Sequence, residues 1–195
     1  MKDDVRSRIL DAGLSLLSEG GLQALSMRAV ARIAGVSHQA PYHYFADREA
    51  ILAEIVKSGF ETLHEYEKGA VAAVSDPLER VAEIGCAYVR FALDHPSLFQ
   101  LMFRRELVDL ENFQDAHEIA DKTFELPLSV IAEAHSKKPE DSLNETIACW
   151  SMAHGLATLM LEGKMPEALG ETRKDQDART RAVMTLHMKR IMASL

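Results

Sequence analysis

The sequence predicts an all-α protein of about nine helices. Three observations predict it. Strand-like alternation is nearly absent. Apolar residues recur at the helical period of 3.6 along the whole chain. The breaks between these runs carry residues that start or stop helices. The 195 residues, 47% hydrophobic and 27% charged, suit a globular chain with a core, arranged as one domain or two small ones. No apolar run approaches the ~20 residues a membrane span needs. The opening MKDDVRSRIL lacks the apolar stretch of a signal peptide, so a cytoplasmic protein is expected.

The first helix is expected over about Asp4 to Glu19, with Val5, Ile9, Ala12, Leu16 and Leu17 as its apolar stripe and Gly20-Gly21 as its stop. Ser26 can cap a second helix, Met27 to Ala34, which Gly35 ends. Ser37 then caps a short third helix. Pro41 removes only about one of its hydrogen bonds. Asp47 caps a fourth, from Arg48 to about Val74. Asp76, Pro77 and Glu79 mark the next start, with cap, first-turn proline and capping box in register. That helix reaches about Asp94, and His95-Pro96 opens a short successor. A long segment from about Phe113 to Ser136 carries Pro127, where a kink is expected. Pro139 opens a helix of residues 140–162, with Gly163 beyond its end. A polar linker, 164–174, leads to a last helix of about 175–194.

Three short helices followed by a long one fit a helix-turn-helix. Ala31 is small where two helices must cross. Gly35 can take the left-handed turn between them. The third segment, SHQAPYHYF, is polar and aromatic where a core helix would be apolar. The second helix of such a pair enters the major groove of DNA. Gln39 can then bond adenine, Ala40 can touch a thymine methyl, and Ser37, His38, Tyr42 and His43 can reach phosphates, sugars or base edges. Ser26, Met27 and Arg28 start the supporting helix and Arg48 starts the fourth, where cations and backbone N–H groups suit phosphates. Tyr44 and Phe45 are expected to pack inward. Charge agrees: the net −8 lies entirely beyond residue 60, while residues 22–48 hold Arg28, Arg32 and Arg48 against Asp47 alone.

Residues 9–56 resemble the DNA-binding domain of the TetR family of repressors. The resemblance is carried by Ile9, Ala12, Gly20, Ala31, Gly35, Val36, Ser37, Tyr42, Phe45 and Glu49. Gln39-Ala40-Pro41 replaces the Gly-Thr-Leu common in the family, and Arg48 replaces a lysine. Farther on, His95-Pro96, Leu98-Phe99, Leu101-Met102-Phe103 and Trp150 with His154-Gly155 resemble one TetR subgroup. The resemblance implies a DNA-binding domain, residues 1–52, and a larger effector-binding and dimerisation domain, residues 53–195. It implies a homodimeric, ligand-responsive repressor on a palindromic operator, with a small-molecule effector. The long fourth helix is then the natural lever between the two.

In the second domain, the helix of residues 140–162 is apolar nearly all round, so both faces need cover. A second subunit packing on it and on the last helix (Val183, Leu186, Met188, Ile191, Met192) is one answer; ordinary core is the other. Phe91, Phe99, Met102, Phe103, Phe124, Trp150 and His154 are candidates for an effector pocket or for plain core. Cys86 and Cys149 form no paired motif and suit a reduced core. The histidines show no metal spacing, and no nucleophile-base pair or phosphate loop is evident, so neither cofactor, metal site nor catalytic residue is expected. An all-helical enzyme and a partner-binding module without DNA contact are the competing classes.

Overall fold

The computed structural model describes residues 2–164 and 172–193, and side chains except those of residues 2, 3, 188, 189 and 191–193. Eight α-helices follow one another, with no strand among the described residues: α1 (Lys2–Ala24), α2 (Met27–Ile33), α3 (Arg48–Ala72), α4 (Pro77–Asp94), α5 (Pro96–Met102), α6 (Gln114–His135), α7 (Leu143–Leu161) and α8 (Arg173–Ala193). Single 3-10 turns occupy Ala40–His43, Leu110–Asn112 and Pro139–Asp141.

Three of the four expected caps form; the fourth, Ser37, is replaced by Gln39, which precedes its 3-10 segment without a side-chain bond. Ser26 Oγ accepts from Ala29 N at 3.2 Å, Asp47 Oδ1 from Ala50 N at 2.9 Å and Asp76 Oδ1 from Glu79 N at 2.9 Å. Gly21, at φ 63°, breaks α1 where Gly20-Gly21 predicts a stop, and a last turn to Ala24 follows it. The third of the predicted helices is not α-helical. The segment from Ser37 is a 3-10 turn, and Pro41 explains it. An α-helix there would need the Pro41 nitrogen to donate to the Ser37 carbonyl, which it cannot do. Ala40 N takes that carbonyl instead, at 3.0 Å. Residues 139–141 likewise form a 3-10 turn, so α7 begins at Leu143 rather than near 140. The helix α6 continues through Pro127. Met188, Ile191 and Met192 lie outside the described side chains, as does most of the expected linker.

Two compact units result: residues 1–60 with 95–120, and 61–94 with 121–195. In the first, Ile9, Val30, Ile51, Leu52 and Ile55 are buried, as are Pro41 and Phe45. In the second, α4 packs on α7 and α8, and Val89, Phe91, Ile131, Ala157 and Met184 are buried. Full burial of such side chains stabilises by roughly 1.5–3 kcal/mol each.

Gly35 closes α2. It sits at φ 63°, and its N–H bonds the Arg32 carbonyl at 3.3 Å while Val36 N bonds the Ala31 carbonyl at 3.0 Å. A side chain at this φ costs about 1–2 kcal/mol. A methyl there would also stand 3.2 Å from an Arg8 guanidinium nitrogen. Gly35→Ala is therefore expected to lower the unfolding free energy by about 1–2 kcal/mol, read by urea titration.

Candidate nucleic-acid interface

The turn between α2 and the 3-10 segment is held from outside. Arg8, on α1, donates to the Ala34 carbonyl and, at 3.1 Å, to that of Gly35. These carbonyls end a helix, and a cation there also suits its dipole. From below, buried Pro41 and Phe45 hold the 3-10 turn, and Arg6 lies 5.4 Å from the Phe45 ring centroid. What remains outward is polar. Ser37, His38, Gln39 and His43 are exposed, and Tyr42 is 48% exposed, with its ring centroid 6.1 Å from that of His38. Ala40 and Tyr44 are half-buried.

Beside this turn, Ser26, Arg28, Ala29, Arg32, Val36 and His38 line a shallow concavity. Arg28 and Arg32, one helical turn apart, are exposed, and neither pairs with a carboxylate among the described residues. Arg32 is the site residue that the sequence reading passes over as a mere charge. Its signal is its i, i+4 relation to Arg28. Two expected contacts are corrected. Met27 is only 8% exposed and packs in the core, because α2 turns that face toward α1. Arg48 is half-buried and donates to the Leu22 carbonyl at 2.7 Å, so its guanidinium braces the chain rather than standing free for a phosphate.

The seven pocket candidates fall into two groups. Phe99 and Met102 are buried in the first unit. Phe103 lies beside them, its centroid 5.2 Å from Phe99 and 6.1 Å from Phe60. Phe91 is core in the second unit, edge-on to Tyr66. The other three gather there too: the Phe124 and Trp150 rings meet at 6.0 Å, and those of Trp150 and His154 at 6.3 Å.

Tyr88, unnoticed in the sequence, joins them. Trp150 Nε1 donates to its hydroxyl at 3.2 Å, and the hydroxyl lies 2.8 Å from His154 Nδ1. Burial lowers the His154 pKa, favouring a neutral ring that accepts the Tyr88 proton. Burial also drives the Tyr88 hydroxyl far up, as does the nearby Glu67 charge, against the Trp150 bond. Glu67 is 2% exposed, its Oε2 has no hydrogen-bond partner among the described residues, and burial alone holds its carboxyl well above the usual range. Leaving such an atom unsatisfied costs about 1–3 kcal/mol. Its sequence signal is an acid at the core phase of α3, in step with Phe60 and Leu63. Burial lifts both thiols, Cys86 and Cys149, to about 11, which keeps them protonated near neutral pH.

A short capped helix, a glycine-closed turn and an outward polar segment define a helix-turn-helix protein. Comparison with known proteins narrows the class. The family described as bacterial regulatory proteins, tetR family, matches residues 9–55, and the tetracyclin repressor-like C-terminal domain matches residues 81–186, over half the chain. The chain belongs to the TetR family. It is similar to the transcriptional repressor KstR of Rhodococcus jostii, with 36% identity over 99 residues, 51% of this chain and 46% of that protein. It is also similar to the regulator BetI of Rhizobium meliloti, with 33% identity over 79 residues, 40% and 39% of the two chains. These matches thus span less than half of the curated relatives. A solved protein of unknown function from Rhodococcus sp. RHA1 superposes with a TM-score of 0.79 at 28% identity, covering 95% of this chain and 94% of its own. FadR of Bacillus subtilis, solved with stearoyl-CoA, shares the fold at a TM-score of 0.71 and 17% identity, covering 94% and 97%. Among the described residues no helix is long and apolar enough to cross a membrane.

Proposed function

We propose that the protein is a homodimeric, cytoplasmic transcriptional repressor. It binds a palindromic operator through residues 26–43, and a small-molecule effector held in the second unit releases it. The observation that carries the reading is the turn of residues 37–43. Its polar side chains face solvent while Pro41 and Phe45 are buried beneath it and Arg8 bonds the carbonyls of Ala34 and Gly35 that precede it. Gln39 reads a base edge, Tyr42 and His43 contact the backbone, and Arg28 and Arg32 hold phosphates. Repressor relatives support the activity, and a neighbour solved with stearoyl-CoA supports an effector without naming this chain's own. Effector binding then selects a state of lower operator affinity.

Dimerisation is supported by α7. Its inner face buries Thr146, Ala153, Leu156 and Ala157, yet Leu143, Ile147, Trp150 and Leu159 stay 41–46% exposed, and Leu186 on α8 is 53% exposed. Gly155, on the open side, has space where a Cβ would stand. A second copy of α7 and α8 covers these residues in a four-helix interface. Placing a charge in that interface, Ile147→Asp, is expected to give monomers in sedimentation and to weaken operator binding together.

The deciding experiment is selection of bound duplexes from a random pool. Enrichment of a palindrome with half-site centres about 34–36 Å apart is expected. Tyr42→Ala is expected to weaken binding to it by on the order of tenfold, while urea stability is unchanged. No enriched duplex from an intact dimer would sink the repressor reading and favour a partner-binding module.

A further inference from the structure

Glu67 is the only acidic side chain buried among the described residues. Among the described residues, buried atoms without a partner also occur on Arg48, His64, His135 and His187, but none of these is acidic, and two buried hydroxyls are satisfied. Thr146 Oγ1 donates to the Ser142 carbonyl at 2.8 Å, and Ser142 Oγ to that of Lys138 at 3.1 Å. Among the described residues Glu67 Oε2 has no such bond, and no lysine or arginine offsets its charge. One turn earlier on α3, His64 Nδ1 is also buried with no partner among the described residues. Glu67 is near enough to Tyr88 for its charge to act on that hydroxyl, and Tyr88 is bonded to Trp150 and His154. An acceptor with a desolvated, unpaired oxygen calls for a donor from outside the chain, and a charged donor offsets it best. The aromatic rings of Tyr88, Trp150 and Phe124 gather in the same unit, and ring faces attract cations.

We propose that Glu67 recognises a basic nitrogen on the effector, which makes the effector class an amine or amidine carried on an apolar body. This rests on the reading of the second unit as the effector site. Trp150, the sole tryptophan, reports binding by fluorescence. The probes are decylamine, decanol and decanoate, which share a chain and differ at the head. Decylamine is expected to bind at least tenfold tighter than decanol, and decanoate weakest. In Glu67→Gln the preference of amine over alcohol is expected to fall to about one. A second measurement uses the unaltered protein: its infrared difference spectrum on adding decylamine is expected to lose a protonated-carboxyl band and gain a carboxylate band. Equal binding of amine and alcohol, or a preference that survives in Glu67→Gln, overturns the Glu67 inference and leaves the effector site standing. Binding of none of the three by the folded protein overturns both.

Discussion

Replacing Arg28 and Arg32 together by alanine is expected to weaken operator binding about a hundredfold, at on the order of 1.5 kcal/mol for each charge-assisted bond to phosphate. The loss should be nearly uniform across sequences, since phosphate contacts position the protein without reading bases. The slope of log K against log salt should fall in steepness by about 2, roughly 0.9 for each contact removed. Folding should be untouched. Both side chains are exposed on α2, and alanine is a better helix former than arginine. The contrasting variant is Gln39→Ala, which should flatten discrimination at one operator position and leave the salt slope alone. A double variant that binds as tightly, with an unchanged slope, would move the interface off α2. Arg48→Ala should behave differently again, lowering stability through the loss of its bond to the Leu22 carbonyl.

Glu67→Gln is expected to stabilise the protein at neutral pH and to change little near pH 4. The sign follows from burial, which raises the folded carboxyl well above 4.5, its ordinary value. Below that value both states hold the proton and no penalty exists. Above it the unfolded chain releases the proton while the folded chain keeps it. Stability then falls by about 1.4 kcal/mol for each pH unit until the folded carboxyl ionises as well. Glutamine has no proton to release, so the difference in Tm between the two proteins should widen as pH rises from 4.5. Buried histidines act oppositely: the lowered pKa of His154, caused by burial, removes stability as pH falls below 6.5. Taking the difference between the two proteins cancels that contribution. A constant difference from pH 4 to pH 8 would show that Glu67 is ionised in the folded state.

The parts of this molecule legible in the sequence are those whose cause is local. Ser26, Asp47 and Asp76 each accept from an N–H three residues on, and such a bond needs nothing distant. Gly35 is legible because left-handed backbone excludes other residues. The 3-10 turn was also within reach, since the Ser37 carbonyl and the Pro41 nitrogen are four residues apart. The residues misread or passed over are those with remote partners. Arg8 meets Ala34 across 26 positions, and Arg48 meets Leu22 across the same separation. In sequence, Arg48 is simply a cation at a helix start. Met27 looked like a cap neighbour, and only the packing of α2 against α1 turns it inward. Tyr88 and His154 are 66 residues apart, so their bond has no trace in spacing.

The division of labour in the turn of residues 37–43 has an evolutionary consequence. Pro41 and Phe45 carry its conformation, while His38, Gln39, Tyr42 and His43 add little buried surface to the fold. A lineage can therefore rewrite those four positions, and with them its target promoter, without first acquiring compensating mutations elsewhere. A library randomised there should yield mostly folded variants, a practical starting point for building orthogonal gene switches from this scaffold.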